Sequence, residues 1–333
     1  MLVTGGSGFI GGNFVQYMVK KYPEYDIYNL DVLTYAGELT KHRNIQSMMN
    51  YFFVKAVITD RKTIFSLFTK EKFDYIVHFA AENHVDRSIT DPEVFVRTNI
   101  LGQVLLDAAK HIGVEKSLHV STDEVYGELD FDPAIFFTEE TPLPYRASKA
   151  SSDLLVRAYH ETFHLPINIT RCSNNYGPFH FPEKIIPLTI LRVLNNEKIP
   201  VYGDGKNVRD WLHVYDHCSA LALVLHKGVN GEIYNVGGNN EKANLEVVKT
   251  ILHALGKSEE LITFVPDRLG HDKRYAICPK KLMKLGWAPH YSFEKGISMT
   301  VDWFILNKWW WKQVMNEEYL NYIEQHYTKN DGE

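Results

Sequence analysis

The run Tyr145-Arg146-Ala147-Ser148-Lys149 sets a phenol and an ammonium four residues apart, on one face of any helix that carries them. A tyrosine ordinarily titrates near pH ~10, and a neighbouring cation favours the phenolate. The pair is therefore suited to removing a proton from a hydroxyl near neutral pH. Upstream, Ser121-Thr122-Asp123-Glu124-Val125-Tyr126-Gly127 places two carboxyls side by side behind a hydroxyl. Adjacent carboxyls whose pKa values are pushed apart can divide proton removal from proton donation, the two acts that elimination of water requires. Both patterns also have ordinary readings, since Tyr and Lys share many helix faces and acidic residues are common in turns. The elements that carry them decide between the readings.

Those elements alternate. Strands are expected at Leu2–Thr4, Asp26–Asp31, Tyr51–Lys55, Tyr75–Ala80, Ser117–Ser121 and Ile167–Arg171, and helices at Phe9–Lys21, Lys62–Lys70, Glu93–Ile112 and Ala147–Phe163. This alternation specifies an α/β fold with a Rossmann-type, doubly wound parallel sheet. Thr122 to Glu124 then follow the fifth strand, and Tyr145 opens the helix after it. Gly5-Gly6-Ser7-Gly8-Phe9-Ile10-Gly11 follows the first strand and opens the first helix, where glycines allow a tight turn and close approach of a pyrophosphate to the helix N-terminus. Asp31 ends the second strand twenty residues after Gly11, where a carboxylate accepts from the adenosine ribose and repels a 2′-phosphate, favouring NAD over NADP.

Beyond Cys172 the rhythm changes. Asn, Gly and Pro cluster from Asn174 to Pro187, and a helix at Ile186–Leu194 interrupts the alternation. The expected division is residues 1–172 as a NAD-binding unit, rejoined by a strand at Glu232–Val236, and residues 173–330 as mainly a smaller, interleaved C-terminal substrate-binding lobe. Trp309-Trp310-Trp311 is read as part of a packed helix, because no basic or aromatic pattern of the nucleic-acid-binding kind surrounds it.

Composition narrows the class further. Apolar residues make up 45% of the chain and charged residues 23%, without a run long enough for a membrane span. The opening Met1-Leu2-Val3-Thr4 enters the glycine turn directly, which implies a cytoplasmic protein. Cys172, Cys218 and Cys278 lack paired spacing and read as free thiols. A net charge of −5 argues against nucleic acid as a partner while leaving a phosphorylated small molecule open. His84, His213 and His271 show no metal spacing, and no metal is expected.

The glycine turn, Asp31, the Ser121-Thr122 strand end and the Tyr-x-x-x-Lys pair together resemble the extended short-chain dehydrogenase/reductase superfamily over nearly the whole chain. Asp123-Glu124 narrows this to a resemblance to the dTDP-glucose 4,6-dehydratases. So do Phe79-Ala80-Ala81-Glu82-Asn83-His84-Val85-Asp86-Arg87-Ser88, Arg171 to Pro178, Pro182-Glu183-Lys184, Arg209-Asp210-Trp211 and Asp267 to Asp272. The resemblance implies a hydro-lyase that uses NAD: hydride leaves carbon 4 of a dTDP-linked glucose, water leaves across carbons 5 and 6, and the hydride returns to carbon 6. It implies Thr122 as positioner of the 4-hydroxyl, Tyr145 as its base, Asp123 as acid at the 6-hydroxyl, Glu124 as base at carbon 5, and Lys149 on the nicotinamide ribose. The implied cofactor set is Gly5, Gly8, Phe9, Ile10, Gly11, Asp31, Leu33, Thr34, Ile58, Phe79, Ala80, Ala81, Thr98, Tyr145, Lys149 and Asn175. The implied substrate set is Asn83, Thr122, Asn174, Lys184, Ile185, Pro200, Tyr202, Arg209, Asn244, Arg268 and His271, with Lys184, Arg209, Asn244 and Arg268 at the nucleotide diphosphate. Arginine's planar fork and lysine's point charge suit phosphate oxygens. A homodimer with a helical interface and a place in deoxysugar (rhamnose-type) biosynthesis are also implied.

The chain departs from that family's pattern in three places. Val57-Ile58 stands where the family has Asp-Ile near the adenine, so one hydrogen bond is expected to be lost. Asn83 replaces a small hydroxyl residue near the substrate. Between Pro142 and Tyr145 the chain is several residues short; a deletion there would strain the placement of Tyr145, so an active-site loop absent from the chain as written is the expected explanation. The competing readings are a dehydratase or epimerase of another nucleotide sugar, such as a UDP- or CDP-hexose, and a catalytically silent NAD-binding protein. Asp123-Glu124 argue against an epimerase, which moves hydride at carbon 4 and has no water to eliminate.

Overall fold

The structure, a computed structural model, describes residues 1–129, 144–267, 271–316 and 319. Leu2–Thr4 (β1), Ile27–Asp31 (β2), Tyr51–Lys55 (β3), Tyr75–His78 (β4), Lys116–Thr122 (β5) and Ile167–Cys172 (β6) form one sheet together with Ile233–Val236 (β10). The order is β10-β6-β5-β4-β1-β2-β3 and every pairing is parallel. Successive strand side chains point to opposite faces, and both faces are covered here, which is why these strands read as continuous apolar runs. Val3, Val77, Leu118 and Val120 meet Phe14, Val15 and Met18 of helix Phe9–Lys21 and Leu221 and Leu225 of helix Val214–Lys227. On the other face Leu2, Leu30, Ile76, Ile167 and Ile169 meet Ile64, Phe68, Leu105, Ala109 and Val156.

The expected strands and helices are found, Leu2–Thr4, Phe9–Lys21 and Tyr51–Lys55 with the expected bounds and the others with shifted ends, and one differs in kind. Glu93–Ile112 is not a single helix: Pro92–Phe95 passes through a π-helical turn, Val96–Ile100, and a 3₁₀ turn, Leu101–Gln103, before helix Val104–Ile112. The wider turn places Thr98 on the wall of the central cavity. It also leaves Asn99 buried, where its side chain accepts from Glu82 N (2.9 Å) and donates to Glu82 O (3.1 Å) and Ser148 Oγ (2.8 Å). Such turns concentrate at functional sites.

Residues after β6 build two further sheets. Asn174–Tyr176 (β7) and Glu241–Ala243 (β11) flank Val208–His213 (β9), while Ile199–Tyr202 (β8) pairs in parallel with Ile262–Val265 (β12). A separate core of Tyr176, Ile186, Ile190, Trp211, Val247, Phe293, Ile297, Trp310 and Trp311 lies behind them. Trp310 and Trp311 are buried in helix Lys308–Val314, as the sequence reading expected. Among the described residues no helix is long and apolar enough to cross a membrane.

Candidate active site

The sheet order reverses between β1 and β4, and the C-terminal ends of β1, β2, β5 and β6 open into one cavity of about 510 Å³, a size suited to small ligands and cofactors. A switch point of this kind is where open α/β sheets bind ligands.

On one side lies the glycine turn. Gly5 has φ +68°, and a Cβ there would stand 2.6 Å from Ala80 N; a Cβ on Gly11 would stand 2.3 Å from Gly5 O. The turn fits against β4 and its own helix only without side chains, which leaves room for a pyrophosphate at the N-terminus of helix Phe9–Lys21. Asp31 Oδ2 accepts from Ser7 N (2.9 Å) and Oδ1 from Leu33 N (2.8 Å). The carboxylate thus fixes the turn and caps the next one, and its remaining lone pairs are available to ribose hydroxyls. These residues fit a dinucleotide.

On the opposite wall, β5 delivers Thr122, Asp123 and Glu124. Thr122 caps the 3₁₀ turn Asp123–Tyr126: its Oγ1 accepts from Glu124 N (3.3 Å) and donates to Asp123 Oδ1 (3.4 Å). Asp123 is 3% exposed and its Oδ2 has no hydrogen-bond partner among the described residues. Burial first, then the Glu124 and Asp210 carboxylates, push the Asp123 acid well above the usual range. Glu124 stands in different surroundings, with Arg146 Nε 3.4 Å from its Oε2. Two neighbouring carboxyls therefore differ in environment, one dehydrated and one paired with a guanidinium.

The raised pKa of Asp123 bears on stability. The folded chain holds this proton more tightly than the unfolded chain, so the penalty is absent below the unfolded pKa and grows as pH rises through the window up to the folded value. Asp123→Asn is accordingly expected to melt a few degrees above wild type at pH ~7, with the difference shrinking toward pH ~4. Paired thermal melts across that range check it; a difference independent of pH would contradict the assignment.

Tyr145 and Lys149 lie in helix Pro144–Phe163, which begins with Pro144, a residue whose fixed φ suits a helix start. Ser148 Oγ donates to Tyr145 O (2.7 Å) and receives from Asn99, tying the start of this helix to the π-helical turn. Lys149 Nζ donates to Val120 O at 2.9 Å. The phenol of Tyr145 is pushed well above its ordinary value by burial and then by Glu124, while a hydrogen bond with Thr122 pulls the other way. The Lys149 ammonium is thus engaged with a backbone carbonyl, and the Thr122 hydroxyl acts in favour of the phenolate. Burial likewise raises the Cys172 thiol, beside the same site, to about 12. The full sequence runs unbroken through Pro142-Leu143-Pro144-Tyr145. The short connection therefore belongs to this chain, which corrects the expected missing loop, and Tyr145 still lies on the cavity wall.

The cavity brings together all the expected site residues that the structure describes except Leu33. Leu33 instead turns through φ +61° beside the cavity, with its amide on Asp31. Arg268 lies outside the described residues. Arg209 is 5% exposed, donates to Val208 O (2.7 Å) and Asp272 O (3.0 Å), and stacks on Tyr275 at 4.5 Å. Asn175 uses its amide on Ser173 O (2.9 Å) and His217 Nδ1 (2.9 Å). Val57, 47% exposed, and Asn83 both line the cavity.

Several wall residues were not singled out from sequence. Glu183 is 6% exposed and gathers His84 Nε2 (3.5 Å), Arg87 Nη2 (3.7 Å) and the Tyr35 hydroxyl (3.4 Å), joining three distant segments at the cavity. His180 stacks flat on Phe9, with ring centroids 4.3 Å apart. Tyr275 lies just past the Asp267 to Asp272 segment. The signal available for Glu183 was its place in Pro182-Glu183-Lys184; its partners converge only in the fold.

The family model described as GDP-mannose 4,6 dehydratase matches residues 2–300. The dTDP-glucose 4,6-dehydratase of Xanthomonas campestris pv. campestris (strain B100) is 49% identical over 342 aligned residues, covering 96% of each chain. A crystal structure of dTDP-glucose 4,6-dehydratase from Bacillus anthracis in complex with NAD superposes with a TM-score of 0.86 at 50% identity, covering 94% of this chain and 98% of that one. A Streptomyces venezuelae dTDP-glucose 4,6-dehydratase structure with NAD bound gives 0.88 at 44% identity, covering 94% and 99%. Likeness of this extent, joined to a cavity with the glycine turn on one wall and Thr122, Asp123, Glu124 and Tyr145 on the other, shows that the chain belongs to the dTDP-glucose 4,6-dehydratase family of extended short-chain dehydrogenase/reductases.

Proposed function

We propose that the chain is a NAD-dependent hydro-lyase that converts dTDP-glucose into dTDP-4-keto-6-deoxyglucose. The observation that carries this reading is the unlike pair on one turn: Asp123 buried and, among the described residues, without a partner at Oδ2, Glu124 beside a guanidinium. Bound NAD supplies the hydride acceptor and donor, held by the glycine turn, Asp31, Thr98, Asn175 and Lys149. Thr122 positions the sugar's 4-hydroxyl and Tyr145 takes its proton. Glu124 then takes the proton at carbon 5, and Asp123, kept protonated by its burial, gives a proton to the departing 6-hydroxyl. Lys184, Arg209, Asn244 and Arg268 receive the diphosphate. The acid, the base and the cofactor platform converge on one ring, so positioning accounts for much of the rate.

Residues 1–172 with β10 serve as the NAD-binding unit and residues 173–330 mainly as the substrate lobe. The free thiols Cys172, Cys218 and Cys278 support a cytoplasmic location. Val94, Val96, Leu101 and Leu154 are 39–64% exposed on the 92–103 segment and helix Pro144–Phe163, an apolar surface that supports a helical homodimer interface. The product fits deoxysugar biosynthesis of the rhamnose type.

The test is incubation with dTDP-, UDP-, CDP- and GDP-hexoses, following the 4-keto-6-deoxy product. Turnover of dTDP-glucose well above the others is expected. Dehydration of a different nucleotide sugar alone would overturn the base assignment, and NAD binding without any turnover would overturn the enzymatic reading.

A further inference from the structure

Arg146, inside the Tyr-x-x-x-Lys segment, has no exposed surface. A guanidinium stays protonated in a protein interior, so its burial has to be offset by anions and acceptors around it. Its Nε lies 3.4 Å from Glu124 Oε2. Its Nη2 contacts both the Asp272 carboxylate and the Tyr275 hydroxyl, and that hydroxyl donates to the same carboxylate. Arg209 closes the cluster by covering the Tyr275 ring and donating to Asp272 O. Among the described residues no other cation hydrogen-bonds Glu124.

A purely structural arginine needs only Asp272 opposite it. Here the fork divides, with one edge on the second lobe and Nε on a carboxylate of the cavity wall. We infer that Arg146 is a positioning residue for the elimination step, holding the Glu124 carboxylate in one orientation and, through Asp272 and Tyr275, making that orientation depend on the 271–275 segment. This rests on the reading of Glu124 as the carbon-5 base. In that step Glu124 takes the carbon-5 proton, the electron pair forms the carbon 5–carbon 6 double bond, and the 6-hydroxyl leaves as water with the proton of Asp123. A base misplaced by about an ångström loses roughly 10²-fold in rate.

The experiment compares wild type, Arg146→Met, Arg146→Lys and Glu124→Gln with dTDP-glucose in deuterium oxide. It measures kcat and KM for product, nicotinamide reduction and deuterium uptake at carbon 5. Arg146→Met is expected to keep nicotinamide reduction and KM while kcat and deuterium uptake fall by roughly 10²-fold. Arg146→Lys, which keeps the charge but loses the fork, is expected to recover about a tenfold part of that loss. Wild-type kcat in Arg146→Met, with Glu124→Gln defective, would overturn the inference and leave the Glu124 reading standing. Equal loss of every readout in both arginine variants would also overturn it, because that is the pattern of a structural lesion. Should Arg146→Met fail to fold, Arg146→Lys decides: lowered kcat at unchanged KM supports the inference, and wild-type kcat overturns it. Wild-type product formation by Glu124→Gln would instead sink the underlying reading.

Discussion

Glu124→Gln is expected to accumulate reduced nicotinamide when dTDP-glucose is added and to form the 4-keto-6-deoxy product roughly 10²–10⁴-fold more slowly than wild type, the usual worth of a positioned general base. The amide keeps the shape of the side chain and can still accept from Arg146 Nε, 3.4 Å from Oε2 in the wild type. It loses the basicity needed at carbon 5. Thr122 and Tyr145 are untouched, so removal of the 4-hydroxyl proton proceeds and the reaction halts one step later. Stopped-flow absorbance of the reduced nicotinamide, paired with product analysis, reads both halves. Product at the wild-type rate would show that another group takes the carbon-5 proton.

Tyr145→Phe is expected to stop the reaction one step earlier. Without the phenol no group accepts the 4-hydroxyl proton, so neither reduced nicotinamide nor product should form above about 10⁻²–10⁻⁴ of the wild-type rate. The fold should tolerate the change, because Thr122 keeps its hydrogen bonds to Glu124 N and Asp123 Oδ1, and Phe95 still packs on the ring at 6.3 Å between centroids. A melting temperature close to wild type, with normal NAD binding by titration, separates loss of the base from loss of the site. Normal nicotinamide reduction in this variant would remove Tyr145 from the role. The two variants therefore divide the reaction at the ketone: one fails before it and the other after it.

What a local pattern can carry was legible before any coordinates. Leu2–Thr4, Phe9–Lys21 and Tyr51–Lys55 are found with the bounds the sequence reading assigned, because strand and helix periodicity are short-range properties of the backbone. The four-residue interval from Tyr145 to Lys149 and the glycine turn were readable for the same reason. The break in Glu93–Ile112 was not legible: local propensity favours one helix, and the π-helical turn is set by Asn99 reaching Glu82 and Ser148, residues distant in the chain.

The amino-acid sequence by itself determined the doubly wound sheet, the dinucleotide turn with Asp31, and the identities of the hydroxyl, the two carboxyls and the phenol. The tertiary structure alone decided how those groups differ. Burial leaves Asp123 Oδ2 without a partner among the described residues and raises its pKa, whereas Glu124 receives a guanidinium that is itself held by Asp272 and Tyr275 from nearly 130 residues away. Adjacent residues in sequence share almost the same neighbours along the chain, so nothing local can tell them apart. Desolvation and charge pairing depend on which distant segments close over each side chain, and that is a property of the folded packing.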